Sequence, residues 1–150
     1  MNLLFDHSPW MQSISYALRY EVFVLEQQID KADEFDSFDT KETDCFLLLD
    51  EQTPVATMRY QRNKTVFHPD RVCVAKHARN KGYGTYLLKA AEKHAQADGC
   101  VCSILSAELS AITFYEKSGY ERFGAPFIED GILCVKMRKE LSVKTHLETD

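Results

Sequence analysis

A chain of 150 residues with 45% hydrophobic residues can enclose one complete core, and a domain of this size buries roughly 70% of its unfolded surface. A formal net charge of −5 argues against a general nucleic-acid surface, for which a basic stripe is expected. No run approaches the roughly 20 apolar residues that span a bilayer, and the N-terminus lacks the cationic and apolar regions of a secretory signal. The expectation is a cytoplasmic protein with no nucleic-acid or membrane partner, a single domain over residues 1–141 and a polar, frayed tail over 142–150.

In chain order, residues 2–5 form a short first strand. Ser8 and Pro9 then cap and open a helix, along which Met11, Ile14, Leu18, Val22 and Leu25 make one stripe. The helix's other face carries charge. Residues 29–43 are acidic and aperiodic, a loop with room for a short helix. Strands follow at 45–49 and 55–60 around a turn ending at Pro54, and a third at 65–74 is broken near His68-Pro69. A helix occupies 82–97, with Leu87, Leu88, Ala91 and Ala95 inward and Gly99 as a left-handed cap. A buried strand at 100–107, a short helix at 110–118 stopped by Gly119, and a hairpin of 120–127 with 132–138 around Glu129-Asp130-Gly131 complete the layout.

The five cysteines, Cys45, Cys73, Cys100, Cys102 and Cys134, form no Cys-x-x-Cys pair, and their odd number fits reduced thiols. His7, His68, His77, His94 and His146 show no ligand spacing, so no metal is expected. The chemistry concentrates instead where a strand, a basic turn and a helix meet. Gly82 and Gly84 admit backbone angles closed to other residues and let a ligand approach the main chain. The first-turn N–H groups of the helix lack internal partners and lie at the positive end of its dipole. Arg79 and Lys81 add cations, and a diphosphate suits the cradle. A Rossmann turn needs a third spaced glycine and a Walker loop needs Gly-Lys-Ser/Thr, and neither is present.

Arg79-Asn80-Lys81-Gly82-Tyr83-Gly84 resembles the Arg/Gln-x-x-Gly-x-Gly/Ala CoA signature of the GNAT N-acetyltransferase superfamily. Ala111-Ile-Thr-Phe-Tyr-Glu-Lys-Ser-Gly-Tyr120 resembles its Ala-x-x-Phe-Tyr-x-x-x-Gly-Phe segment, with Tyr120 in place of Phe. Residues 18–27, followed by Glu34, Asp36 and Asp39, are similar to the N-terminal part of a group of small bacterial GNAT proteins whose acceptors are mostly unassigned. The resemblance implies an α/β (α+β) GNAT fold. Its central, mostly antiparallel mixed sheet is splayed at the acetyl-CoA site and flanked by about four helices.

The resemblance also implies roles. Val72, Cys73 and Val74 form the strand along which pantetheine lies, as an added half-strand would. Arg79, Asn80, Lys81, Gly82, Tyr83, Gly84 and Thr85 hold the rest of CoA, with Lys76 and Arg71 as further cations. A bulge in this strand leaves a main-chain N–H near Val74 for the oxyanion. Cys73 reads as a core residue, since the acyl group passes directly from thioester to amine. Tyr115 is placed to protonate the departing thiolate, its alternative being packing with Ile112.

An alkylammonium with a pKa of about 10.4 must lose a proton before it attacks. Glu108 stands where the family shows Asn or Gln, and it serves as that base or as a hydrogen-bonding group to the ligand. Glu26, at the end of the first helix, is the second candidate, and a water chain the third. Asp30, Asp33, Glu34, Asp36 and Asp39 form either a solvated loop or a surface that attracts a cationic amine. Cys134 occupies a position where related small proteins carry His. The leading function is transfer of an acetyl group from acetyl-CoA to a primary amine of a small molecule. A CoA-binding module without turnover and a protein N-acetyltransferase are the alternatives. The oligomeric state, a homodimer included, stays open.

Overall fold

The computed structural model describes residues 1–141, and the tail expected at 142–150 lies outside the described residues. The chain forms two compact units, Met1–Tyr60 with Pro69–Ala91, and Gln61–His68 with the chain from Glu92 onward. Strands β1 (Asn2–Asp6), β2 (Cys45–Asp50) and β3 (Thr53–Arg59) belong to the first unit, β4 (Arg62–Asn63) and β5 (Val66–Phe67) to the second, and β6 (Asp70–Val74) to the first again. The stretch expected as one broken strand at 65–74 therefore serves two sheets.

The sheet of the first unit is antiparallel throughout, in the order β1-β2-β3-β6. Phe46-Leu47-Leu48 is a continuous apolar run, the pattern of a strand covered on both faces, and Leu47 and Leu48 are fully buried. Each such leucine contributes about 1.5–3 kcal/mol on burial. Helix α1 (Pro9–Arg19) packs on β2 and β3 through Met11 and Leu18. Pro9 opens it at the position where a missing N–H costs nothing. Ser8 holds the N-cap place without the expected side-chain bond, and its buried Oγ has no hydrogen-bond partner.

After Arg19 the helix widens into a π segment, Tyr20–Glu26, in which Gln27 N–H donates to the Val22 carbonyl at 3.1 Å. The wider turn ends the 3.6-residue stripe: Val22 remains buried while Leu25 is 60% exposed. A single turn, α2 (Lys31–Glu34), follows, with Asp30 Oδ1 accepting from Ala32 N–H as its cap. Strand β6 pairs with β3 through Ala56↔Val74 and Thr57↔Cys73, and then through Arg59↔Asp70. Two residues, Arg71 and Val72, thus oppose Met58 alone, and Arg71 has φ 52°. That is the bulge expected of this strand, and it sits at Arg71 and Val72.

Helix α3 (Tyr83–Ala97) buries Leu87, Leu88, Ala91 and Ala95 as its spacing predicts. Its end is closed by Gly99 at φ 96°, beyond which Cys100 N–H reaches back to the Ala95 carbonyl at 2.9 Å. In the second unit, β7 (Cys102–Glu108) runs parallel to β5 and antiparallel to β9 (Ile132–Glu140), which in turn pairs with β8 (Glu121–Glu129). Residues alternate along β7, with Ser103, Leu105 and Ala107 buried. A 3-10 turn at Leu109–Ala111 precedes α4 (Ile112–Lys117), so the helix expected at 110–118 divides in two.

The β8–β9 turn places Asp130 (φ 52°) and Gly131 (φ 77°) between the paired residues Glu129 and Ile132, the two-residue geometry that Asp-Gly favours. Strand β8 ends its sheet. Its register slips between Phe123 and Phe127, around Gly124 and Pro126, a break that discourages pairing with another chain. Among the described residues no helix is long and apolar enough to cross a membrane.

Candidate active site

Strand β6 is the edge of its sheet and pairs with β3 alone. Its Cys73 is buried, and that burial pushes the thiol up to about 12, which keeps it protonated and inert as a nucleophile. After Val74 the chain makes a 3-10 turn, Lys76–Ala78, extends at Arg79, and turns left-handed at Asn80 (φ 66°) and Gly82 (φ 83°). Gly84 already lies inside α3, so the conformational demand expected of both glycines falls on Gly82. Tyr86 N–H makes the first helical bond, to the Gly82 carbonyl at 3.0 Å, leaving the earlier N–H groups of the turn without helical partners. Lys81 and Thr85 are exposed.

Side chains secure this loop at both flanks. The Tyr83 hydroxyl donates to Asp50 Oδ2, at the end of β2. Arg79 Nε donates to the Val74 carbonyl at 3.1 Å, while its two terminal nitrogens donate to Glu26 Oε2 at 2.5 Å and Oε1 at 2.7 Å. Two residues expected to serve separately, as base and as phosphate partner, are thus joined across 53 positions. Arg79 holds the Glu26 carboxyl below its ordinary range, which weakens it as a proton acceptor. The pair is 36% and 31% exposed, and a pair so wet stabilises by about 0.2–1 kcal/mol.

The acidic segment serves the structure. Glu34, 2% exposed, accepts from Arg19 Nε at 2.9 Å and lies 3.2 Å from Arg71 Nε. Asp39 takes both terminal nitrogens of Arg19, at 2.8 and 2.9 Å, and lies 2.9 Å from Arg59. Asp36 accepts from Arg59 at 2.8 Å and from Arg71 at 3.1 Å, and Asp70 accepts from Arg59 Nε at 3.1 Å. Burial pushes Asp36 and Asp39 up, but the guanidiniums outweigh it and hold both carboxyls below the usual range. Glu34, Asp36 and Asp39 are therefore taken by arginines rather than open to a cationic amine. Arg59 in an otherwise buried strand was the signal for such a cluster, because a charge there requires a partner. Arg71, read as a cation for CoA, spends its donors here as well.

In the second unit, Glu108 ends β7 opposite Cys134 in the ladder and accepts a 3.3 Å bond from Ser110 Oγ. Tyr115 on α4 packs its ring edge-on against Phe114 at 5.0 Å and Tyr120 at 5.7 Å. Tyr120 is buried, with its hydroxyl 2.7 Å from Ser103 Oγ and donating to Glu92 Oε2 at 2.8 Å. Lys139 completes the set, donating to Glu92 Oε1 and to the Ser118 carbonyl, each at 2.8 Å. The sequence signal was the tyrosine itself, since a phenol at a buried Phe position needs hydrogen-bond partners. Elsewhere, Asp6, His7 and Asp44 bring three potential metal-ligand atoms, two carboxylate and one imidazole, within 4.8 Å of one another. His7 Nδ1 already lies 2.8 Å from Asp44, a hydrogen bond that raises the imidazole pKa, and an exposed ion pair accounts for the group.

A bulged edge strand thus leads through a left-handed, cationic turn into a helix N-terminus whose first N–H groups lack helical partners, an arrangement that suits an anion. Residues 13–141 match the family described as Acetyltransferase (GNAT) domain, and the protein belongs to that family. The uncharacterized protein YyaT of Bacillus subtilis (strain 168) is 35% identical over 127 residues, 83% of this chain and 86% of the relative. The uncharacterized N-acetyltransferase YjcF of the same strain is 32% identical over 127 residues, 84% of this chain and 90% of the relative. Among crystal structures, an inferred N-acetyltransferase from Lactobacillus plantarum matches with a TM-score of 0.89 at 37% identity, covering 93% of this chain and 97% of that one. An acyl-CoA N-acyltransferase from Pseudomonas aeruginosa, at 24% identity, a TM-score of 0.80 and 93% and 99% coverage, shares the fold. The protein is by this membership an N-acetyltransferase, its fold implies an acyl-CoA donor, and its acceptor is a small molecule or a protein.

Proposed function

We propose that the protein transfers an acetyl group directly from acetyl-CoA to the primary amine of a small molecule. The observation that carries this reading is the turn from Arg79 to Gly82, whose left-handed residues open the start of α3 to an anion. In the proposed reaction Val72, Cys73 and Val74 offer main-chain groups to pantetheine. Asn80, Lys81, Gly82, Tyr83, Gly84 and Thr85 receive the diphosphate, with Arg79 as a charged partner. The amine nitrogen attacks the thioester carbonyl carbon, and a main-chain N–H of β6 steadies the oxyanion. As the C–N bond forms, Glu108 takes the amine's proton. The C–S bond then breaks, and Tyr115 protonates the thiolate, leaving an amide and free CoA.

Glu108 is preferred to Glu26 as base because it ends β7, where the family carries a polar residue, and among the described residues its carboxylate accepts only a long 3.3 Å bond from Ser110 Oγ. Tyr115 suits the acid role because the anchored Tyr120 ring braces its own ring. The test is a screen of amines with acetyl-CoA, read by thiol release. On the acceptor found, Tyr115→Phe should lower kcat by roughly 10- to 10³-fold, and Glu108→Gln by about 10²-fold, with acetyl-CoA affinity unchanged. Turnover on a protein lysine or N-terminus alone, or acetyl-CoA binding with no transfer to any amine, would refute the proposal.

A further inference from the structure

Arg79 meets an anion in the free protein, and the anion is the protein's own. The two oxygens of Glu26 fill the fork of the guanidinium in the bidentate manner that carboxylates and phosphates share. The third donor, Nε, is tied to the Val74 carbonyl, five residues back in the same turn. Departure of Glu26 would therefore leave Arg79 in place, aimed from the loop that receives the donor. Among the described residues Glu26 has no comparable anchor. It ends the π segment, where the helix dipole presents its negative end and disfavours a carboxylate. The next residues, Gln27 and Gln28, are exposed, and Gln28 turns left-handed at φ 62°.

Burial decides whether such a pair can open. The carboxylates on Arg19 and Arg59 sit on guanidiniums that are 1% and 2% exposed, and leaving would strand a buried charge. Arg79 and Glu26 keep contact with water, so each can be resolvated when they part. A diphosphate carries more charge than a carboxylate and offers the same acceptor geometry, so it wins the exchange. We propose that Glu26 stands in for the donor's diphosphate on Arg79, and that acyl-CoA binds by displacing it. This rests on the acetyl-CoA reading above. Glu26 thereby sets donor affinity: it keeps the cationic loop neutralised while empty and lowers affinity by the cost of its own expulsion.

The test is calorimetry of CoA and dephospho-CoA against the parent, Glu26→Gln, Glu26→Ala, Arg79→Gln and the double variant Glu26→Gln/Arg79→Gln, each checked for a cooperative melt. Loss of a competing exposed carboxylate should tighten both probes about 1.4- to 5-fold in the two Glu26 variants, the range that an exposed ion pair's strength converts to. In the Arg79→Gln background the Glu26 substitution should have no effect. Equal or weaker binding in both folded Glu26 variants would overturn the exchange. So would tightening that persists without Arg79, which would reflect net charge alone, or tightening confined to CoA, which would move the partner to the 3′-phosphate. A parent that binds neither probe would instead remove the acetyl-CoA reading itself.

Discussion

Guanidiniums and carboxylates meet in two regions of the first unit, and the regions differ in water. Around Arg19 and Arg59 the guanidiniums are enclosed: together with Arg71 they share the buried Glu34 and Asp39 and the half-buried Asp36 and Asp70. Around Arg79 a single carboxylate sits in the open. Dehydration of Arg19 and Arg59 makes the first set obligatory, because these two cations cannot be resolvated if their carboxylates leave. Hydration makes the second set exchangeable. The same residue types thus build scaffold in one place and a ligand-responsive contact in another.

The sharpest way to break this comparison is to remove one cation from each region. Arg59→Met should cost about 3–5 kcal/mol of unfolding free energy in urea, or prevent folding, since it removes the guanidinium shared by Asp36, Asp39 and Asp70 and leaves four carboxylates on two arginines. Arg79→Gln should cost no more than about 1 kcal/mol. Equal losses would erase the distinction.

Acid probes Asp36 and Asp39 of this set, whereas burial pushes Glu34 up and gives it the opposite sense. Asp36 and Asp39 have folded pKa values held below their ordinary range. Their stabilisation is therefore fully present above the unfolded carboxylate value of about 3.9 and is lost as pH falls through the lower folded values. Urea midpoints should stay level from pH 7 to about 5 and drop below about 4. Should Arg59→Met fold, the drop should shrink in it. An unchanged drop would mean that other carboxylates dominate.

Gly82→Val sharpens the other side. At φ 83° an added Cβ meets nothing within 4 Å, so the penalty is backbone strain of about 1–2 kcal/mol plus any loss of ligand approach. Acetyl-CoA affinity should fall tenfold or more while the fold survives, about 1.4 kcal/mol per tenfold in calorimetry. The smallest effect belongs to His7, raised by its bond to Asp44. Its contribution is present below pH about 6.5 and fades as pH rises through the higher folded value. Asp44→Asn should return the imidazole towards its ordinary value in an NMR titration, with little change in unfolding.

Much of the fold was legible because its causes are local. The α3 stripe, the Gly99 cap and the Asp130-Gly131 turn depend on neighbours within a few positions, and all three are observed. The α1 stripe failed at Leu25, where the π segment widened the turn. The Gly-rich turn was legible as an anion cradle for the same local reason, although its conformational demand falls on Asn80 and Gly82 and not on Gly84. The acidic segment at 30–39 misled, because composition marks charge without naming partners.

The sequence by itself determined which residues can form strands, turns and helix ends, since backbone preference and apolar period act over one or two turns of chain. It also placed the chain in its family through short contiguous motifs. Only the tertiary structure decided that β5 and β6 enter different sheets, that Arg71 takes the left-handed bulge, and that Glu26 meets Arg79 across 53 positions. A charge pairs with whatever the fold brings within about 3 Å, and burial then sets whether that pair is permanent or exchangeable. Neither the partner nor its hydration is written in any local stretch of the chain.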